Sequence, residues 1–379
     1  MHISTALAVL LSAAAPTACA AAAASHADCS PGSKPLPFPA GELSKDQFTA
    51  KGRRYRVHLP QGYDPTRRAP VILSYHGAHG TIEKQAALDG LTDPSRNRDY
   101  IVVYLQALVP EGASDPTKTE WQVAPGAAQH TDDLGFTADV VAALEARLCV
   151  DPRRLYATGK SQGGGFVGQV LACDGGGDDD DASARGLARR FAAFAPVAGA
   201  YYLQDTPRRD QCEPTNRVAI PCGARRRRRA GKGERSDAAN ATAPILAFHG
   251  GADKTIPYRG TWRRATGSCL PDIRHWARQW VSSSASSSSS TTTRGEDHNG
   301  VHGPPTEKNT TIPGSRHGVR SAWGAGKEEG RVVLVYAGDD IGHDWPSTAE
   351  NADNKGGPRA AFNASDEIVE WFGKWQLGS

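Results

Sequence analysis

The segment 156–166, YATGKSQGGGF, constrains the fold more than any other stretch of the chain. Tyr156 and Ala157 belong to a short β-rich run. Phe166, Val167, Val170 and Leu171 follow at helical spacing. Between them lies Gly159-Lys160-Ser161-Gln162-Gly163. A strand that turns into a helix over so few residues needs glycine on both sides of the apex. A Cβ at those positions would collide with the neighbouring strand or helix. The pattern therefore predicts a βα unit with Ser161 at the tip of a tight turn and at a helix N-terminus. By itself the pentapeptide is also compatible with a plain glycine-rich turn.

Further βα units surround it. β-rich runs are expected at 55–60 (YRVHLP), 69–77 (APVILSYHG), 100–108 (YIVVYLQAL), 154–159 (RLYATG), 191–199 (FAAFAPVAG), 243–250 (APILAFHG) and 331–338 (RVVLVYAG). Helical patterns fall at 136–149, 272–281 and 364–375. This alternation predicts an α/β protein with a mostly parallel sheet covered by helices on both faces. Its length of 379 residues with 39% hydrophobic content supports a substantial core. One domain is expected over 25–379.

The N-terminal segment has an apolar run at 6–11 followed by small residues, the pattern of a signal peptide over about 1–20. Cleavage there would remove Cys19, leaving Cys29, Cys149, Cys173, Cys212, Cys222 and Cys269, an even set suited to disulfides in an exported protein. Acceptor sequons at Asn240, Asn309 and Asn363 agree with export. Secretion and an extracellular location are the expectation. Mixed charges with a net +3 give no general pull toward nucleic acid or membrane. A monomer is expected. Three polar segments, 174–186, 223–241 and 282–300, lack apolar periodicity and read as flexible insertions. The arginine run 225–229 reads as a solvated loop rather than a polyanion site.

If Ser161 is a nucleophile, it needs a base, and the base needs an orienting carboxylate. With a nucleophile elbow the chain order is Ser, acid, His. Asp253 follows a strand and is the single carboxylate of FHGGADKTIPY, which makes it the expected acid. Among 12 histidines, His343 meets both the chain order and the position after the last strand. His249 reads as structural, and Asp339, Asp340 and Asp344 share the histidine's own loop. The backbone N–H groups of Ala78 and Gln162 are the candidate oxyanion donors, with His76 fixing the Ala78 loop. Zinc on His76 and His79 lacks a further ligand at metal spacing, so no metal or cofactor is expected. Lys160 either tunes the field at Ser161 or points at solvent, and the residues alone do not decide.

Cysteine levels suggest one bridge. Cys149 ends a helix below the sheet, and about twelve helical residues after Ser161 descend roughly 18 Å. That returns Cys173 to the level of Cys149, and a Cys149–Cys173 disulfide is expected.

Together YATGKSQGGGF, FHGGADKTIPY, GHDWPS and NADN…FNAS resemble secreted, fungal-type feruloyl esterases of carbohydrate esterase family 1, which group with polyhydroxybutyrate depolymerase-like esterases. The resemblance extends from Cys29 to Trp375. It implies an α/β-hydrolase fold, a triad on Ser161, Asp253 and His343, and hydrolysis of hydroxycinnamoyl esters of plant cell-wall polysaccharide without a cofactor. The three insertions depart from the family pattern. Trp121 and Trp345 are candidates for stacking on an aromatic acyl group, with core packing as the alternative. Acetylxylan esterase or polyhydroxyalkanoate depolymerase would use the same triad. A secreted carbohydrate-binding pseudoenzyme is the reading of another class.

Overall fold

In the computed structural model, Val71, Leu73 and Tyr75 face one side of a sheet and Ile72 faces the other, all fully buried. A strand apolar on both faces must lie between two layers of helices. The structure describes residue 29 and residues 36–128, 130–175, 186–203, 208–215, 243–264, 266–285, 306–324 and 330–378. The strands are β1 (Gln47–Phe48), β2 (Arg54–His58), β3 (Ala69–Tyr75), β4 (Ile101–Leu105), β5 (Val150–Lys160), β6 (Ala193–Val197), β7 (Ile245–His249), β8 (Thr261–Arg263), β9 (Ser268–Leu270), β10 (Thr306–Thr311), β11 (Val319–Gly324) and β12 (Val332–Tyr336). Ten of them form one sheet in the order β1-β2-β4-β3-β5-β6-β7-β12-β11-β10. From β4 to β12 every neighbouring pair is parallel, and antiparallel strands extend both ends.

Helices α1 (Ile82–Asp89) and α5 (Ala364–Gly373) cover one face. Their Ile82, Ile368, Trp371 and Phe372 pack with Ile72, Val102, Leu246 and Val333. On the other face lie α2 (Asp133–Arg147), α3 (Gln162–Gly165) and α4 (Ile273–Ala285). Val140, Leu144, Trp276 and Trp280 from this layer join Val71, Leu73 and Leu334. The expected mostly parallel sheet with helices on both faces is present, and the fold is that of the α/β-hydrolases. Among the described residues no helix is long and apolar enough to cross a membrane.

Some expectations need correction. Beyond α3 the backbone widens into a π-helical stretch, Phe166–Val170, and tightens into a 3-10 turn, Leu171–Cys173, instead of one regular helix. Cys149 pairs with Cys29, not with Cys173. Cys173 is itself disulfide-bonded, and Cys212 pairs with Cys269. Level along the sheet was a poor guide because pairing also needs lateral proximity, which an irregular helix of this kind does not preserve. α4 continues to Ala285, into the segment expected to be a loop. Once a helix is nucleated and docked through Ile273, Trp276 and Trp280, serines can extend it. β10 and β11 form an antiparallel pair that apolar periodicity did not foretell, since TEKNTT is polar and takes its order from β11. The 1–20 leader, the 223–241 segment with its arginine run, Asn240 and most of the other two insertions lie outside the described residues. Asn309 is exposed on β10, and Asn363 precedes α5.

Candidate active site

Parallel pairing brings the ends of five strands, β3, β5, β6, β7 and β12, to one edge of the sheet. Tyr75 pairs with Gly159, Lys160 with Val197, Val197 with Phe248, and His249 with Tyr336. The loops that leave these ends carry Ala78, Ser161, Asp253 and His343. This is the edge at which ligands bind in open α/β sheets.

Ser161 has φ 55° and ψ −118°, a left-handed backbone for a residue with a side chain. Such a conformation costs on the order of 1–3 kcal/mol and persists only where surrounding contacts impose it. The glycines supply that constraint. A Cβ on Gly163 would lie 2.2 Å from Tyr75 O and 2.6 Å from His76 O, and one on Gly159 would lie 2.7 Å from Gly163 C. On Gly165 it would lie 2.1 Å from Ala200 O. The helix thus approaches the backbone of β3 and the segment after β6 at distances that exclude side chains. Because backbone on both sides cannot yield, Gly163→Ala is expected to destabilise the fold by about 1–3 kcal/mol and to displace Ser161. Urea unfolding checks this, and a midpoint equal to the parent protein would show that the turn tolerates a methyl group.

Asp253 and His343 meet directly. His343 Nδ1–H donates to Asp253 Oδ2 at 2.7 Å. Oδ1 of Asp253 accepts from the backbone N–H groups of Thr255 at 2.8 Å and Ile256 at 2.7 Å. The Nε2–H of His249 donates to Ile256 O at 2.7 Å, and the same nitrogen lies 3.3 Å from Oδ2 of Asp253. Burial alone would raise the Asp253 pKa, but the hydrogen bonds from His249 and His343 hold it well below the usual carboxylate range. Burial lowers the His343 pKa despite the opposing effect of the hydrogen bond it donates to Asp253. The pair is therefore a carboxylate and a neutral imidazole near neutral pH, with the Nδ1 proton on the carboxylate side and the Nε2 lone pair free.

Ser161 is 9% exposed, and among the described residues its hydroxyl has no hydrogen-bond partner. A Cβ on Gly77 would lie 3.3 Å from the Ser161 Cβ, which sets the Gly77–Ala78 turn beside the serine. His76 holds that turn. Its Nδ1–H donates to Gly77 O at 2.7 Å, and its Nε2 accepts from Ala107 N–H at 3.1 Å and Gln106 Nε2 at 2.9 Å. Burial pushes the His76 pKa down to about 4, so it stays neutral. With both ring nitrogens engaged, His76 has no lone pair for a metal. The backbone amides of Ala78 and Gln162 take no part in the backbone hydrogen bonds found among the described residues outside helices and strands. The Gln162 side-chain oxygen accepts the backbone N–H of Trp121 at 3.4 Å.

Trp121 and Trp345 do not offer a face to a substrate. They are 0% and 1% exposed. Trp121 packs on Phe166 and Tyr75, and its Nε1–H donates to His76 O at 2.7 Å. Trp345 Nε1–H donates to Ser365 Oγ at 2.9 Å. Stacking requires an accessible ring, and here the indoles are walls of the loops behind the site. His317, another histidine late in the chain, pairs with Asp339 at 2.6 Å on the surface. The residues not anticipated as parts of the site are the second histidine on Asp253 and the partner of Lys160, which is Asp353 at 2.6 Å. Asp353 lies in the NADN segment, but nothing in its spacing announces a contact with residue 160.

These features are those of the α/β-hydrolase fold with a tight strand–serine–helix turn. The solved acetyl xylan esterase from Aspergillus awamori shares this architecture. Its TM-score is 0.51 at 14% identity, over 88% of this chain and 98% of that one. No model of a known protein family matches the chain. Among curated proteins it is similar to feruloyl esterase B of Piromyces equi, 30% identical over 114 residues, which are 30% of this chain and 20% of that protein. It is also similar to feruloyl esterase C of Emericella nidulans, 25% identical over 226 residues, which are 53% of this chain and 77% of that protein. The match to the first spans only a fifth of that relative's length.

Proposed function

We propose that the chain is a secreted serine esterase that releases hydroxycinnamoyl groups, ferulate foremost, from plant cell-wall polysaccharide. The Asp253–His343 hydrogen bond at 2.7 Å, at the sheet edge that also carries the strained Ser161, is the observation that carries the reading. The names of the relatives supply the substrate class. His343 Nε2 takes the proton of Ser161 as its oxygen attacks the ester carbonyl. The amides of Ala78 and Gln162 hold the oxyanion. The sugar hydroxyl leaves with the proton from His343, and water then releases the acid by the reverse sequence. The Cys29–Cys149 and Cys212–Cys269 bridges support an oxidising, extracellular compartment.

A second reading, deacetylation of xylan, draws support from the burial of Trp121 and Trp345, because neither indole is available to an aromatic acyl group. Wild type and Ser161→Ala are to be assayed on methyl ferulate, acetylated xylan and a hydroxyalkanoate polyester. Ferulate release by the wild type alone is the expected result. Activity confined to acetyl esters would rule out the hydroxycinnamate substrate, and hydrolysis that survives in the alanine variant would rule out the mechanism.

A further inference from the structure

Lys160 is the last residue of β5 and immediately precedes Ser161. It does not point at solvent. Its Nζ lies 2.6 Å from Asp353 Oδ1, and the two side chains are 12% and 15% exposed. The other oxygen of Asp353 accepts the backbone N–H of Trp345 at 2.8 Å. Trp345 stands two residues after His343. We propose that Lys160 and Asp353 are positioning residues whose ion pair ties the His343 loop to the strand bearing Ser161, and so sets the imidazole against the hydroxyl. The proposal rests on Ser161 and His343 being nucleophile and base.

The surroundings are built for a fixed strut. Asn351 Nδ2–H donates to Trp345 O at 2.9 Å, so the backbone of Trp345 is held from both sides by the same short loop. That loop is closed on itself. Asn351 Oδ1 accepts from Asp353 N–H at 2.9 Å and Asn354 N–H at 3.1 Å, and Asn354 Oδ1 accepts from Asn351 N–H at 2.8 Å. Behind it the Trp345 indole is anchored on Ser365, whose hydroxyl donates to Asp89 O. Asp353 is therefore a rigid acceptor, and Lys160 is what joins it to the nucleophile's strand. A long, flexible lysine held on an exposed partner would contribute little, but this pair is mostly removed from water.

The same pair sets the field at the base. The charged or titratable groups facing His343 are Asp253, His249, Lys160 and Asp344, with Asp353 beyond Lys160. Lys160 opposes the imidazolium and Asp353 favours it. Cutting the pair from either end should thus move the base in opposite directions.

The test uses Lys160→Met, Asp353→Asn, Lys160→Arg and the double variant Lys160→Met/Asp353→Leu, assayed on p-nitrophenyl acetate from pH 4 to 9. Each single neutralising variant should lose kcat by about 10- to 100-fold, the cost of a small misplacement, with KM nearly unchanged. The acid limb of kcat/KM should move to higher pH in Lys160→Met and to lower pH in Asp353→Asn. Lys160→Arg should recover most of kcat. The double variant should keep an acid limb near that of the parent while kcat stays low, which separates position from field. An unchanged kcat in Lys160→Met and Asp353→Asn, or limbs that move the same way in both, would overturn the proposal. Loss of covalent labelling by a fluorophosphonate in the parent protein would instead sink the nucleophile assignment on which it rests, so the two failures are distinguishable. Should Lys160→Met fail to fold, Lys160→Arg and Asp353→Asn still decide through the direction of the limb.

Discussion

Replacing Ser161 by alanine is expected to lower kcat for ester hydrolysis by about a million-fold, leaving the residual rate that oxyanion donors and binding alone provide. The variant should fold normally. Among the described residues the Ser161 hydroxyl makes no hydrogen bond, and alanine keeps the Cβ that packs beside Gly77. The backbone strain is already imposed by Gly159 and Gly163, whose neighbours are main-chain atoms. Loss of rate without loss of stability is therefore the signature, read by the burst of p-nitrophenol and by thermal unfolding of the same preparation. An alanine variant within tenfold of the parent would remove Ser161 from the reaction.

The second large effect is expected at Asp253→Asn, about ten-thousand-fold in kcat. Three elements of the structure force it. Oδ1 accepts two backbone N–H groups, from Thr255 and Ile256, so an asparagine must place its carbonyl there. Its amide NH2 then faces His249 and His343, where a carboxylate oxygen had accepted from both. His249 keeps its Nε2 proton on Ile256 O and meets the new donor unfavourably. His343 can adapt only by moving its proton to Nε2, which turns the lone pair away from Ser161. Asp253→Ala should lose less orientation than Asn imposes, because it leaves the tautomer unconstrained. Comparing kcat for the two variants at pH 7 checks this. An Asn variant of near-parent activity would mean that the acid is not Asp253.

Much of this candidate site is legible in the sequence alone. Apolar runs bounded by glycine and turn residues placed most of the central strands, because buried strands must be apolar on both faces. The tight spacing of glycines around Ser161 foretold the turn, since main-chain crowding leaves no room for a Cβ. Chain order then singled out Asp253 and His343, because strand ends of a parallel sheet share one edge. The missed features share a cause. β10 is polar and is ordered by its neighbour. Cys149 and Cys173 were matched by height, while disulfides need proximity in all directions.

What the residues determined by themselves was local: strand, turn, helix, and the order along the chain of the candidate serine, acid and histidine. Whether an indole is a wall or a platform depends on what packs against it, and only the assembled layers buried Trp121 and Trp345. Lys160 is the sharpest case. The turn that carries its neighbour Ser161 is legible in the local glycine pattern, but the partner of Lys160 lies 193 residues away in sequence, at Asp353. A charge reports nothing about its counter-charge until the chain is folded, because attraction depends on distance and burial rather than on separation along the chain.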